Sequence, residues 1–258
     1  SEMCIRDRLI GDVVGNSGCC FLQERLPQLK RTHQVDLTIV NGENSAQGNG
    51  ITKHSMEQLF SAGADIITTG NHCFQRREAL SIYEKETILR PLNFPDSCPG
   101  HGCTIWDNGP YQVAVINLMG TAYMDPLDNP FTVIEEFLPT LPTKNIIVDF
   151  HAEATAEKKA MGHFLTGKVS AVIGTHTHVQ TADEAILNHH TGYLTDVGMT
   201  GGEYSILGVT VKPALDRFRF RFAQRFTEAP APCFGNGVLL ELDTSCGKCT
   251  KIERLIFR

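Results

Sequence analysis

The chain has 258 residues, of which 41% are hydrophobic and 20% charged, so it has the composition of a globular protein of one large or two small domains. Its formal net charge of −6, without any long basic run, disfavours a duplex nucleic-acid binder. No stretch approaches the roughly 18 apolar residues of a membrane span, and no signal peptide is recognised, so we expect a cytoplasmic protein.

The predicted elements alternate between short β-branched runs and amphipathic segments. Strands are predicted at residues 36–40, 65–69, 111–118, 145–150 and 170–174. Helices are predicted at residues 17–32, with Ser17 as the N-cap, and at 55–62, 76–85, 132–138, 155–165 and 212–223. Strand, loop and helix repeated in this order predict an α/β fold.

The two ends of the chain differ from this pattern. A first strand should lead into Gly11, but Arg6, Asp7 and Arg8 do not suit a buried central strand. We therefore predict a single domain at residues 9–258 and a non-native or disordered segment at residues 1–8. The last ~30 residues alternate in polarity and predict a β-hairpin with Gly247 at its turn.

The cysteines do not indicate a disulfide framework. There are nine, an odd number with irregular spacing, which is typical of reduced thiols in a chain of this length. Cys246 and Cys249 form a single CxxC pair inside the predicted hairpin. A structural zinc ion needs four ligands, so we favour the plain hairpin over a metal or redox role for this pair.

Side chains that bind metals follow five predicted strands, namely the short first strand before Gly11 and the strands at residues 36–40, 65–69, 145–150 and 170–174. The carboxyl ends of strands in an α/β sheet meet at one edge, where ligands bind, so we expect these side chains to share one pocket. The candidates are Asp12, Glu43, Asn44, Asn71, His72, His151, His176 and His178. Each alone has an ordinary explanation as a turn, a helix cap or a buried histidine, and only their conjunction favours a metal site.

Their chemistry indicates two metal ions. Carboxylate, amide oxygen and imidazole are ligands of Mn, Fe, Zn and Co. About seven such ligands are too many for one tetrahedral ion, and they suit two ions that share a bridging side chain and act on a phosphoryl group. If His176 and His178 lie on a strand, their spacing directs both imidazoles to the same side.

Seven motifs carry a resemblance to a known family. They are IGDVVG at residues 10–15, NGEN at 41–44, TGNH at 69–72, RPLNFP at 90–95, DFHAEAT at 149–155, GTHTHVQTAD at 174–183 and TDVGMTG at 195–201. In this order they resemble the calcineurin-like metallophosphoesterases, and within them the YmdB family, over residues 10–257. The broad superfamily usually has Asp-x-His in the first motif and a bridging Asp in the second. Asp12-Val-Val and Glu43-Asn44 depart from that pattern as the YmdB subgroup does.

The resemblance implies a fold, a reaction and a set of roles. It implies an αββα sandwich that hydrolyses 2',3'-cyclic nucleotides to 3'-phosphates by metal-hydroxide attack, with His72 as the general acid. It implies two divalent or trivalent ions, Fe or Mn before Zn, and a homo-oligomer. The first ion would be held by Asp12, Glu43, Asn44 and His178, and the second by Glu43, Asn71, His151 and His176. Asp149 and Asp196 are candidates for orienting the ligand imidazoles, or equally for capping strand ends.

Other functions fit the same residues. A phosphomonoesterase or protein phosphatase would use the same metal ligands, and a regulatory protein would use the pocket to sense a nucleotide. A non-catalytic RNA-binding module is disfavoured by the acidic charge and by the absence of an aromatic and basic stripe.

Overall fold

The computed structural model describes residues 4–223 and 225–258, which form two β-sheets with helices on their outer faces. The helices are α1 (Gly15–His33), α2 (Lys53–Ala62), α3 (Pro130–Phe137), α4 (Thr155–Phe164) and α5 (Val211–Phe220), with 3-10 helices at Arg77–Glu84 and Leu138–Thr140. None of the helices in these ranges combines the length and apolarity that crossing a lipid bilayer requires.

The first sheet contains the strands from the two ends of the chain. Its strands are β1 (Cys4–Ile10), β2 (Asp12–Val13), β3 (Leu37–Asn41), β4 (Ile66–Thr68), β11 (Met199–Gly202), β12 (Cys233–Asp243) and β13 (Lys248–Phe257). The order is β2-β11-β12-β1-β3-β4, and β13 pairs with β12. Because β1, β3 and β4 run parallel, their carboxyl ends lie at the same edge.

The second sheet comes from the middle of the chain. Its strands are β5 (Cys103–Asp107), β6 (Gln112–Met119), β7 (Ile146–His151), β8 (Ala171–Thr175), β9 (Ala185–Leu187) and β10 (Thr191–Leu194). The order is β5-β6-β7-β8-β10-β9, in which β6, β7, β8 and β10 are parallel. The carboxyl ends of β7 and β8 lead directly into two of the candidate histidines.

Three apolar layers hold the sheets and helices together. Leu9 and Ile39 of the first sheet pack against Ile147 and Ile173 of the second in the central layer. A second layer lies under α1 and α2, and a third lies under α3 and α4. The central strands are buried on both faces, which explains why their sequences are continuous β-branched runs rather than alternating ones.

Most predicted elements are confirmed within a few residues. The five predicted strands are β3, β4, β6, β7 and β8, and the terminal hairpin is β12 and β13, with Gly247 at a φ of 76° in its turn. Residues 76–85 form a 3-10 helix rather than an α-helix. The prediction of Ser17 as an N-cap is wrong: the cap is Val14, and the Ser17 hydroxyl donates to the carbonyl of Ala229.

The first strand extends further than the sequence led us to expect. Residues 4–8 belong to β1, which lies between β3 and β12. Asp7 and Arg8 are fully buried on opposite faces of this strand, and their side-chain polar atoms have no hydrogen-bond partner. Burial raises the pKa of Asp7 well above its usual range and lowers that of Arg8 to about 10. The backbone of Asp7 and Arg8 pairs regularly in the sheet, but their charged side chains are not suited to the apolar surroundings.

We expect Arg8→Leu to stabilise the protein. Replacing an unpaired buried guanidinium by an apolar side chain removes its desolvation cost, so the free energy of unfolding should rise by about 1–4 kcal/mol. Urea unfolding measures the change. Arg6→Leu is the matched control, because Arg6 is partly exposed and donates to Glu241 and Gln34, and it should give no gain. A loss of stability in Arg8→Leu would contradict the prediction.

Candidate metal centre

The parallel strands of both sheets end at one place, and the eight predicted site residues lie there. Asp12 is in β2, directly after β1, and Glu43 and Asn44 follow β3. Asn71 and His72 follow β4, His151 is the last residue of β7, and His176 and His178 follow β8. Hydrogen bonds and close contacts connect all eight, although they are spread over most of the chain.

One group of contacts centres on the side-chain amide of Asn44. Its Nδ2 lies 3.3 Å from Oδ1 of Asp12, 3.2 Å from Oε1 of Glu43 and 3.3 Å from Nε2 of His178. Asp12 and His178 also approach each other, at 3.5 Å. These four residues are the set that the resemblance assigns to the first ion.

A second group centres on Nε2 of His151. This atom lies 3.1 Å from Oε1 of Glu43, 3.0 Å from Oδ1 of Asn71 and 3.0 Å from Nδ1 of His176. Ligand atoms of Glu43, His151 and His176 all lie within 4.8 Å of one another. These four residues are the set assigned to the second ion, and Glu43 is common to both groups.

The crowding of these atoms fits metal ligands better than a hydrogen-bond network. A ring nitrogen carries at most one proton, yet Nε2 of His151 has three polar neighbours at hydrogen-bond distance. An amide nitrogen and oxygen exchange places by a 180° rotation, so Asn44 could equally present its oxygen toward Asp12, Glu43 and His178. A cation between the members of either group would accept lone pairs from several of these oxygen and nitrogen atoms at once, whereas a single proton can be shared by only two of them.

Buried carboxylates and imidazoles set the electrostatics of the site. Burial raises the pKa of Glu43, but its contacts with His151 and His72 outweigh this effect and hold the pKa well below its usual range. Burial lowers the pKa of His151, but Glu43 and Asp12 outweigh it and raise the pKa to about 9. Each buried carboxylate and its imidazole neighbours thus favour opposite charges on one another, which is the electrostatic basis of the cluster.

The remaining ligand candidates show the same competition. Burial raises the pKa of Asp12, but the hydrogen bond and charge of His178 lower it overall. Burial lowers the pKa of His178, and Asp12 reverses this effect, so that pKa is raised. His176 differs, because burial and the neighbouring His151 both lower its pKa. Neutral imidazole is the form that binds a metal ion.

His72 contacts both groups from the rim of the site. Its Nδ1 lies 3.0 Å from Oδ1 of Asn44 and 3.2 Å from Oε1 of Glu43, and its backbone N–H donates to Oε2 of Glu43. Its Nε2 points away from the carboxylates, 3.4 Å from Nδ2 of Asn49. A quarter of the side chain is exposed, so Nε2 can reach a bound molecule.

Side chains behind the histidines orient their rings. Nδ1 of His151 lies 2.9 Å from Oγ1 of Thr175, whose hydroxyl donates to Asp149 at 2.7 Å. Nδ1 of His178 lies 3.1 Å from the carbonyl oxygen of Leu207. A proton on Nδ1 in each ring leaves Nε2 free to face the ligand groups. Asp149 thus acts on His151 through Thr175.

The loop after β8 carries His176 and His178 in an unusual conformation. β8 ends at Thr175, so the two histidines lie beyond the strand, with φ values of 103° and 64°, and the alternation of strand side chains does not set their directions. Asp196 accepts hydrogen bonds from the backbone N–H and hydroxyl of Thr177 between them, and pairs with the buried Lys158 at 2.6 Å. Asp196 thus fixes the loop rather than a ring.

Gly70 allows the two sheets to meet at the site. A Cβ atom at this position would lie 2.3 Å from Nε2 of His151 and 2.4 Å from Oε2 of Glu43. Any side chain here would displace members of both ligand groups. Gly70 lies in the TGNH motif at residues 69–72, but the sequence alone does not show which atoms a side chain at this position would meet.

Sequence reasoning missed several residues of the site. Glu153 lies 3.0 Å from Nε2 of His176 through its carboxylate. Thr175 and Glu153 were visible at strand ends beside predicted ligands, and could have been found by asking what orients each imidazole. Asn49 and Leu207 lie in loops without a chemical signal, so their contacts with the histidines could not have been found.

A comparison with known proteins identifies the family. A family model described as "YmdB-like protein" matches residues 9–255. The chain belongs to the YmdB-like family. A curated relative from Bacillus subtilis (strain 168), named 2',3'-cyclic-nucleotide 2'-phosphodiesterase, is 43% identical over 98% of this chain and 97% of its own length.

Solved structures support the same assignment. The crystal structure of a novel phosphatase from Mycoplasma pneumoniae has a TM-score of 0.94 and 35% identity, covering 99% of this chain and 94% of that one. The NAD nucleotidase of Haemophilus influenzae has a TM-score of 0.63 and 11% identity, covering 98% of this chain and 56% of that one, and is similar in fold alone.

The fold and the class of reaction predicted from the sequence are confirmed. The two sheets and their outer helices are the αββα sandwich of the calcineurin-like metallophosphoesterases. This YmdB-like chain is a phosphoesterase, and its fold family implies divalent metal ions. The carboxylate, amide and imidazole groups at the strand ends are chemically suited to hold such ions.

We expect Gly70→Ala to deplete the protein of metal. The added methyl group would displace His151, which belongs to the second ligand group, and Glu43, which belongs to both. Elemental analysis of protein loaded with Mn should show a loss of most of the metal. The control is Gly109→Ala, whose Cβ meets nothing within 4 Å. Its φ of 96° is unfavourable for alanine, so this variant should lose some folding stability but keep its metal. Full metal content in Gly70→Ala would contradict the prediction.

Proposed function

We propose that the protein is a dinuclear-metal phosphodiesterase that converts 2',3'-cyclic nucleotides to 3'-phosphates. The observation that carries the proposal is the pair of ligand groups that share Glu43, one around Asn44 and one around Nε2 of His151. The name of the Bacillus subtilis relative supports the choice of substrate.

In this proposal each ligand group would hold one ion, and Glu43 would contribute to both. Asp12, Asn44 and His178 complete the first group. When bound, two such ions lower the pKa of a water molecule and neutralise the oxygens of a phosphoryl group. Fe or Mn suits this mixture of oxygen and nitrogen ligands, and Zn is the alternative.

His72 is proposed as the general acid for the leaving oxygen. Its Nδ1 is engaged by Asn44 and Glu43, which fixes the ring and leaves Nε2 to donate a proton at the rim of the site. As water adds to phosphorus, the bond from phosphorus to the 2'-oxygen breaks, and that oxygen takes the proton from Nε2. The product is a 3'-phosphate with a free 2'-hydroxyl group.

The ring supports explain how this geometry is kept. Thr175 and Leu207 engage the Nδ1 atoms of His151 and His178, so each ring presents Nε2 to its ligand group. Asp196 holds Thr177, which fixes the backbone between His176 and His178. These side chains position the ligands without touching the substrate.

We expect His72→Ala to keep its metal and lose most of its activity on cyclic nucleotides. Removing a general acid should lower kcat on adenosine 2',3'-cyclic phosphate by about 10²–10⁴-fold. Bis-p-nitrophenyl phosphate has a leaving group that needs no proton, so its hydrolysis should fall far less. Steady-state kinetics on both substrates, with elemental analysis, measures this difference.

His54→Ala is the matched control, since His54 is exposed on α2 and away from the ligand groups. It should behave as the wild type on both substrates. Loss of metal from His72→Ala, or an equal fall on the two substrates, would show that His72 does not act as a general acid.

Ligand substitutions should remove the ions separately. We expect Asp12→Ala to lose one ion per chain and Asn71→Ala to lose the other, while Glu43→Ala loses both, because Glu43 alone belongs to both groups. Elemental analysis after loading with Mn and gel filtration gives the number of ions per chain. A single ion in the wild type, unchanged by Asp12→Ala, would contradict the two-ion proposal.

A further inference from the structure

A large cavity lies beside Asn49, the residue that contacts the outward-facing Nε2 of His72. Its volume is about 670 Å³, within the usual size range of small-molecule sites. It is lined by residues 47–49 and by Arg76, Arg225, Phe226 and Thr227. Asn49 connects it to the metal centre, because its Nδ2 lies 3.4 Å from Nε2 of His72.

The wall that contains Asn49 is a tightly held loop. Gly48, Asn49 and Gly50 have successive φ values of 74°, 75° and 80°, a conformation that requires support from outside the loop. Arg76 supplies it, donating from Nε to the carbonyl of Asn49 at 3.0 Å and from Nη2 to that of Gln47. These bonds place the cationic side chain of Arg76 in the cavity wall.

Another part of the cavity wall is formed by residues 225–227. Thr227 is anchored to Thr210 by a backbone hydrogen bond of 2.9 Å and by contact of the two hydroxyls at 3.1 Å. Phe226 lines the cavity with 42% of its surface exposed. Within the described residues, neither Arg225 nor Arg76 forms an ion pair with a carboxylate. The cavity therefore combines two unneutralised cations with an exposed aromatic ring.

We propose that this cavity binds the nucleoside part of the substrate together with a phosphate on its 5'-oxygen, held by Arg225 and Arg76. The inference rests on the proposed function, in which the 2'-oxygen leaves toward Nε2 of His72. The ribose must then lie at His72, and its 5'-carbon and base extend outward past Asn49. Arginine is suited to binding phosphate, and an aromatic ring is suited to stacking on a base.

A second cavity near the metal centre does not have this chemistry. It lies beside His178, has a volume of about 260 Å³, and its lining mixes apolar and polar side chains and includes the carboxylate of Glu203 but no lysine or arginine. A second phosphate would have no cationic partner there. The substrate class is thus a 2',3'-cyclic phosphate that carries a 5'-phosphate, either on a mononucleotide or in the terminal linkage of an oligonucleotide.

Kinetics on three substrates tests the inference. They are adenosine 2',3'-cyclic phosphate, the same compound with a 5'-phosphate, and the dinucleotide ApA that ends in a 2',3'-cyclic phosphate. We expect kcat/KM to be at least about tenfold higher for the two phosphate-bearing substrates, and this ratio to fall toward one in Arg225→Gln. A higher value for the dinucleotide than for the 5'-phosphorylated mononucleotide would identify an oligonucleotide end, and the reverse would identify a mononucleotide.

Arg217→Gln is the matched control. Arg217 is an exposed arginine of α5 that does not line the cavity, so this variant has the same change in net charge and should keep the wild-type ratio. Equal kcat/KM values in the wild type, or a ratio that Arg225→Gln leaves unchanged, would overturn the inference.

Binding of product analogues gives a second readout that does not depend on turnover. Calorimetry should show adenosine 3',5'-bisphosphate binding at least about tenfold more tightly than adenosine 3'-monophosphate, with the difference lost in Arg225→Gln. If no cyclic substrate is hydrolysed, the proposed function is wrong, and this comparison alone decides the role of the cavity. Equal dissociation constants for the two ligands would then refute it.

Discussion

The structure depends on one buried carboxylate at the junction of two clusters of ligand atoms. Glu43 is fully buried, so its charge must be neutralised within hydrogen-bond distance. His72 and His151 approach the same oxygen, Oε1, at 3.2 and 3.1 Å. His151 comes from the second sheet and Glu43 from the first, so the site cannot form unless the two sheets are packed with their parallel strand ends together. The central apolar layer provides that packing.

Much of the site was predictable because topology, rather than detailed packing, brings its residues together. Parallel strands end at a common edge, so a polar residue after each of several strands is enough to predict a cluster. Asp12, Glu43, Asn71 and His151 lie near such strand ends. The prediction did not require the sheet order, and it did not distinguish the two sheets.

The features that sequence analysis missed depend on contacts between distant parts of the chain, which leave no periodic pattern in the sequence. The left-handed backbone at His176 and His178 is held by Asp196 through Thr177, a contact between distant parts of the chain. Asp7 and Arg8 argued against a long first strand, yet backbone pairing with β3 and β12 overrides that preference. Burial in the middle of a sheet can thus force charged residues into a strand that their chemistry disfavours.

The loop at residues 48–50 joins the chemistry of the site to the selection of a substrate. Arg76 fixes this loop from the side of the cavity, and the loop presents Asn49 to the ring nitrogen of His72 that faces outward. If His72 is the general acid, as proposed, binding energy from the outer part of a substrate aligns the leaving oxygen with His72 rather than only lowering KM. Under the proposed function, the same wall serves both purposes, and a ligand that fills the cavity would also fix the position at which His72 delivers its proton.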